Sequence, residues 1–254
     1  YLKSISEKTV SQKILAVLGS REILPIVLLA ASLQAPIGVG LPKSWRQELR
    51  NQGIEIAPFR SLIKWWSWVL VTMARGAARA GNRLVQSASG KLNPAPDKDY
   101  AVLCNLPVGA ISFQAGPERS YTLLGWFLRA ANQAKCETIW AHTLDQRKFV
   151  DTNSQITVVS SPFPKLSSVA QYLLVGIDLL SHTTLAFANC LIGRWQRAAL
   201  LGDVLDLAYM KRLPKEAIAR QYLFHNGNLV HRPLWSEWVE HGEGKGTALW
   251  GPIS

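Results

Sequence analysis

Hydrophobic residues alternate between strand-like runs and helix-like spacing along much of this 254-residue chain. Short apolar runs typical of buried strands occupy residues 36–41, 54–59, 100–113, 136–142, 156–163 and 217–224. Segments with a period near 3.6 residues stand between several of these runs, as expected for amphipathic helices. Regular alternation of strands and helices favours an α/β fold. We therefore predict a Rossmann-like open sheet with flanking helices.

The clearest supersecondary pattern lies in residues 36–59. PIGVGL predicts a short strand, Ser44 and Gln47 have capping-box spacing for a following helix, and Gly53 has the position of a helix stop. IEIAPF predicts the next strand, so the order is that of a βαβ unit. G-x-G-x-x-G is absent here, and NAD binding is therefore not inferred.

Residues 61–86 have helical periodicity with an apolar and a basic arc. The apolar arc holds Leu62, Ile63, Trp66, Val69, Leu70, Met73, Ala77 and Leu84, and the basic arc holds Arg60, Lys64, Arg75, Arg79 and Arg83. One interpretation is a core helix with a solvated basic face. The other is an interfacial membrane helix, in which Trp65, Trp66 and Trp68 bind the membrane.

The remaining segments set the predicted organisation of the chain. The apolar run within residues 11–34 is too short and too interrupted for a spanning helix, which favours a buried helix or strand. The polar, proline-bearing loop 87–99 is the best linker, and we divide the chain into parts 1–90 and 91–254. Residues 165–212 read as mostly helical, with Asp203 and Asp206 on one solvated face.

Charge and cysteine content narrow the classes of partner. Lys and Arg number 28 against 17 Asp and Glu, which gives a formal charge of +11 and favours an anionic partner such as a bilayer surface or a nucleotide. No nucleic-acid-binding motif is evident, and nucleic acid is not predicted as a partner. The three cysteines are widely separated and odd in number, which favours a reducing compartment, and no metal site is predicted.

The densest group of polar residues lies between Ala217 and Trp238. A predicted strand ends there and is followed by turn residues, then by a helix that Pro233 begins. The candidate site residues are His225, Asn226, Asn228, His231 and Arg232. Histidine acts as a general base near neutral pH and arginine binds phosphate or carboxylate, although plain turn chemistry explains the cluster equally well. His142 and Asp145 follow another strand and are a second candidate pair.

The string YLFHNGNLVHRPLWSEWVEHGEG resembles a segment of bacterial polysaccharide biosynthesis proteins of the PFTS-motif family. In that family an aromatic-rich strand is followed by His-Asn, then by Arg-Pro-Leu-Trp and an acidic helix. The segment LPKSW is similar to the family's early region. The defining PFTS string itself is absent, since SSPFPKL at 160–166 is not that motif. GTALWGPIS ends where a strand is predicted to begin, so we expect the chain to be the N-terminal portion of a longer protein, with PFTS beyond Ser254.

The resemblance implies the first lobe of a GT-B-like, two-lobed glycosyltransferase. Such an enzyme moves a sugar from an activated nucleotide donor to a lipid-linked glycan, peripherally bound on the cytoplasmic face of the cell membrane. It implies no cofactor, because the nucleotide sugar is a substrate. His225 and His231 then become candidate catalytic bases, and Asn226, Asn228, Arg232 and Trp235 become candidate substrate-binding residues. The alternative is a non-catalytic membrane-surface binding or assembly module.

Overall fold

The computed structural model describes residues 32, 36–97, 99–106, 138–143, 156–225, 233–243 and 246–250. Its helices are α1 (Lys43–Asn51), α2 (Pro58–Ala88), α3 (Val169–Leu191), α4 (Gln196–Ala199), α5 (Leu201–Arg212) and α6 (Leu234–Glu243). Its strands are β1 (Tyr100–Leu106), β2 (Thr138–Thr143), β3 (Ile156–Val159), β4 (Gln221–His225) and β5 (Gly246–Trp250). Apart from Ser32, the predicted apolar run at 11–34 lies outside the described residues, and so does Asp145.

The five strands form one parallel sheet in the order β3-β2-β1-β4-β5. The chain adds β2 and β3 outward on one side of β1, then returns and adds β4 and β5 on the other side. This order is that of Rossmann-like folds. The prediction of an α/β fold with a parallel sheet and flanking helices is confirmed.

Both faces of the central strand β1 are buried. On one face, Tyr100, Val102 and Cys104 of β1 join a cluster with residues of α3, α5 and α6. On the other face, Ala101 and Leu103 are buried as well. Parallel strands covered on both sides read as continuous apolar runs instead of alternating ones, and YAVLCNL is such a run.

The predicted βαβ unit is present, but its two strands are shorter than predicted. The two predicted strands meet in a single parallel bridge between Ile37 and Ile56, and α1 lies between them. Gly53 has a φ of 81°, a left-handed conformation that glycine adopts without strain, so the predicted helix stop is confirmed. The predicted capping box is wrong, because α1 is capped by Pro42 and makes no side-chain cap hydrogen bond.

The long helix predicted at 61–86 is confirmed as α2, but its buried face differs from the predicted apolar arc. The buried positions are Ser61, Trp65, Val69, Gly76, Arg83 and Ser87. Leu62, Ile63 and Leu70, which the apolar arc placed inward, are each more than 40% exposed. The predicted inward face is therefore rotated about the helix axis relative to the face that is buried.

The predicted helical region 165–212 is confirmed as α3, α4 and α5. Its carboxylates are not on a solvated face, however. Asp203 is buried, and Asp206 pairs with Arg83, whose side chain is also buried. Both the solvated aspartate face and the solvated position of Arg83 were therefore wrong.

Two compact units account for the chain. The first comprises Tyr1–Gly81, Asp178–Leu205 and Leu229–Leu234, and the second comprises Asn82–Ile177, Asp206–Asn228 and Trp235–Ser254. In the first unit, α2 and the segment 186–205 share a core that includes Trp65, Val69, Ala186 and Leu201. The second unit contains the sheet and its main core.

Candidate functional site

The candidate site is the carboxyl edge of the sheet, at the point where the strand order reverses. Strands are added in opposite directions on the two sides of β1, so the order reverses between β1 and β4. In open parallel sheets, ligands bind in the crevice outside the carboxyl ends of the two strands at such a reversal. The crevice predicted here lies beyond Leu106 of β1 and His225 of β4.

His225 is the last residue of β4 and sits at this reversal point. The register pairs Cys104 of β1 with Phe224 of β4, which puts His225 one residue beyond that pair. On its other side His225 is paired with Trp250 of β5. The backbone of His225 is therefore held between two strands at the carboxyl edge. Asn226, Asn228, His231 and Arg232 follow it in sequence and lie outside the described residues.

Trp235 lies in the core of the second unit. Its side chain is 3% exposed at the start of α6. The indole ring packs against three aromatic rings, with centroids 4.9 Å from Tyr222, 5.2 Å from Phe163 and 5.4 Å from Phe224. Such contacts make Trp235 an aromatic anchor that fixes α6 to the sheet beside the end of β4.

The three candidate membrane-binding tryptophans are buried to different degrees within the first unit. Trp65 is 4% exposed, stacks on Trp68 at 5.2 Å and meets the edge of Trp195 at 4.8 Å. Trp66 and Trp68 are partly buried beside the same cluster. The indole ring of Trp65 is therefore covered by other side chains of the protein. The exposed apolar residues of α2 lie elsewhere on the helix.

A buried histidine stands at the carboxyl end of the neighbouring strand β2. His142 is 6% exposed, and burial lowers its pKa from 6.5 to about 4. The positive charge of Arg83 acts in the same direction, and a hydrogen bond with the backbone of Ser160 partly opposes it. The imidazole is consequently neutral at physiological pH, with a cation nearby.

Arg83 is the residue of this region that sequence reasoning missed. Its Nη1 lies 2.6 Å from Oδ1 of Asp206, and its guanidinium stacks over the ring of Phe163 at 4.0 Å. The pair is buried, with side chains only 10% and 14% exposed. Arg83 is seven residues beyond Gly76 and fourteen beyond Val69, so its spacing places it on the buried face of α2. This spacing is the feature of the sequence from which the burial of Arg83 could have been predicted.

At this edge of the sheet, the neutral imidazole of His142 lies near the ion pair of Arg83 and Asp206. A neutral imidazole accepts or shuttles a proton, and a buried guanidinium that is already paired stabilises geometry more than it binds a new anion. Cys104 near the end of β1 does not add a nucleophile, because burial raises the pKa of its thiol well above the ordinary value.

An open groove of about 500 Å³ lies on the opposite side, beside the segments that lead into β1 and β4. Its charged residues are Asp97, Lys165 and Glu216, and prolines 94, 96 and 214 form much of its wall. Because it lies at the amino ends of the central strands, it is distinct from the carboxyl-edge crevice.

Within the described part of the chain, no three His, Cys, Asp or Glu side chains are grouped so that they could hold a metal ion. Comparisons of the chain with models of protein families, with curated protein sequences and with solved structures give no match.

Proposed function

We propose that this chain is a glycosyltransferase-like protein that transfers a sugar from a nucleotide donor to a lipid-linked glycan. The observation that supports it best is the parallel sheet with order β3-β2-β1-β4-β5, which has His225 at the carboxyl end of β4 beside the reversal point. Nucleotides bind at this edge of open parallel sheets. The surrounding GT-B-like architecture, with this chain as its first lobe, is part of the proposal.

The proposed chemistry assigns separate roles to the residues at and after the end of β4. Transfer needs a base for the acceptor hydroxyl and a cation for the departing diphosphate. His225 or His231 serves as the base, and Arg232 binds the phosphate. Asn226 and Asn228 contact sugar hydroxyls. The net charge of +11 favours both the anionic donor and an anionic membrane surface, so we place the protein peripherally on the cytoplasmic face.

Binding and transfer measurements on the same variants test this assignment. UDP, GDP and CMP serve as probes in calorimetry, and transfer is followed as radiolabelled sugar that enters the lipid extract. We expect Arg232→Ala to weaken nucleotide binding about 10-fold or more, because a charged hydrogen bond is worth about 1.5–3 kcal/mol. His225→Ala or His231→Ala should lower transfer about 100-fold or more with little change in nucleotide affinity.

A histidine outside the sheet provides the matched control. His182 lies within α3, and His182→Gln should leave both measurements at the wild-type level. If His225→Ala, His231→Ala and Arg232→Ala all retain full transfer activity, the proposed site is wrong.

The second candidate function is a non-catalytic membrane-surface module. The observation that favours it is α3, a helix long and apolar enough to cross a membrane, of which only 17% of the apolar window is buried. The two candidates differ in nucleotide binding. A chain that binds vesicles but none of the three nucleotides supports the module over the transferase.

A further inference from the structure

The exposed face of α3 has the opposite character from that of an ordinary surface helix. Leu173, Leu174, Ile177, Leu180, Phe187 and Leu191 are all between 40% and 74% exposed. No exposed position of this helix holds a charged residue. Surface helices of soluble domains carry their charged residues on the outward face. The outward face of α3 is therefore unsuited to water.

The larger polar residues of α3 lie away from that face, which exposes only the hydroxyl side chains of Ser181 and Thr184 among its polar residues. Gln171, Asp178, His182 and Asn189 are each half-buried against the protein. Gln171 donates a hydrogen bond of 2.8 Å to the carbonyl of Arg212, and Asn189 donates one of 2.7 Å to the carbonyl of Leu185. Gln171 and Asn189 thus satisfy hydrogen bonds within the protein, while the large side chains that point outward are apolar.

Exposed basic residues follow α3 in the chain and also occur on α2. Arg194 and Arg197 are exposed directly after α3. In the compact unit that holds α3 from Asp178 onward, α2 exposes Arg75 and Arg79 with no acidic residue between them. Cations beside an exposed apolar face match the charge of anionic lipid headgroups above the acyl chains. A second copy of this chain would instead bring the same cations together.

We infer that the outward face of α3 lies in the surface of an anionic phospholipid bilayer and is the main lipid-binding element of the protein. The 23 residues extend about 34 Å, and one side of the helix stays packed on the protein, so the helix lies in the plane of the interface. This inference deepens the proposed function, whose acceptor is lipid-linked, by naming the surface that contacts the lipid. It assigns this role to α3 instead of to the tryptophans of α2.

Vesicle binding by the full chain tests the inference. Leu173→Gln, Ile177→Gln and Leu180→Gln are combined in one variant, because these side chains are 64%, 59% and 71% exposed and contribute little to the fold. We expect its partition onto phosphatidylcholine vesicles containing phosphatidylglycerol to fall about 100-fold or more, since each lost side chain removes substantial apolar burial. Circular dichroism checks that the variant remains folded.

Two control variants locate the effect. Ser67→Gln with Asn82→Gln changes exposed polar positions of α2, outside the proposed lipid-binding face, and this variant should bind vesicles like wild type. Leu62→Gln, Ile63→Gln and Leu70→Gln change the exposed apolar residues of α2, and this variant should retain most of the binding. Undiminished binding by the α3 variant, or complete loss in the α2 variant alone, contradicts the inference.

A fluorescent probe then distinguishes lipid from protein as the occupant. An environment-sensitive label on Ile177→Cys, in a Cys136→Ser background, reports on this face while Cys104 and Cys190 are buried. Emission should be water-like without vesicles and shift to the blue when vesicles are added. Blue emission without vesicles means that protein covers the face, which overturns the inference. Neither measurement needs a sugar donor, so vesicle binding through α3 with no sugar transfer refutes only the transferase.

Discussion

At the residue scale, the surroundings of His142 couple its protonation to folding. Its pKa is about 4 in the folded chain against 6.5 ordinarily, with burial as the main cause. As the pH falls, the unfolded chain binds this proton near pH 6.5 and the folded chain only near pH 4. The contribution of neutral His142 to stability is therefore fully present above pH 6.5 and is lost between 6.5 and 4, by up to about 3 kcal/mol.

We expect His142→Gln to remove this part of the pH dependence. Urea unfolding of wild type should show a larger loss of free energy between pH 7 and pH 4.5 than the variant, by about 2–3 kcal/mol. The comparison uses the change with pH, so a constant loss of stability in the variant does not affect it. Equal pH dependence in both proteins would show that His142 is not held neutral by the fold.

Residues that act locally were predictable, and residues that depend on distant partners were not. His225 could be placed at a strand end because a strand-forming run and turn residues adjoin each other in sequence. Arg83 could not be assigned to its partner, because Asp206 lies 123 residues away. A burial of charge that is unfavourable alone becomes acceptable only with that partner present.

At the element scale, helix positions were predicted well and helix orientation was not. The region from Leu62 to Met73 is apolar on nearly every side, so hydrophobic periodicity does not determine which side faces inward. Two other requirements fix the rotation of α2. Gly76 allows the backbone of α5 to approach, and Arg83 must reach Asp206.

The close contact between α2 and α5 predicts that alanine at Gly76 destabilises the protein more than alanine at Gly202. A Cβ atom added at Gly76 would lie 2.7 Å from the backbone nitrogen of Gly202, which forces the helices apart. We expect Gly76→Ala to lower the free energy of unfolding by about 1–3 kcal/mol, measured by urea denaturation. Gly202→Ala should cost less, because its added Cβ meets Gly76 at 3.4 Å.

Gly176 in α3 is the matched control, since a Cβ added there meets nothing within 4 Å. Gly176→Ala should leave stability unchanged or raise it by up to about 1 kcal/mol, from the helix propensity of alanine. Equal effects of Gly76→Ala and Gly176→Ala would mean that the two helices are not in backbone contact.

At the scale of the whole molecule, the sheet depends on pairing between distant parts of the chain. Val102 of β1 is paired with Tyr222 of β4, about 120 positions later. A chain that ends at Leu213 lacks β4 and β5, so β1 has no partner on that side. We expect amides of β1 and β2 to exchange with solvent much faster in this truncated chain than in the full chain, by hydrogen-exchange mass spectrometry. Native-like protection in the truncated chain would show that β1, β2 and β3 form a stable sheet alone.

The same pairing has a consequence for biosynthesis. Ribosomes add about 5–20 residues per second, so β1 waits on the order of 10 s before β4 has been made. During that interval, the side of β1 that later pairs with β4 is open to association with other chains. The α3 segment is made before β4, so its apolar face is available while the sheet is still incomplete. If that face binds lipid, the nascent protein reaches the membrane before it has finished folding, and the bilayer surface becomes the place where its last strands assemble.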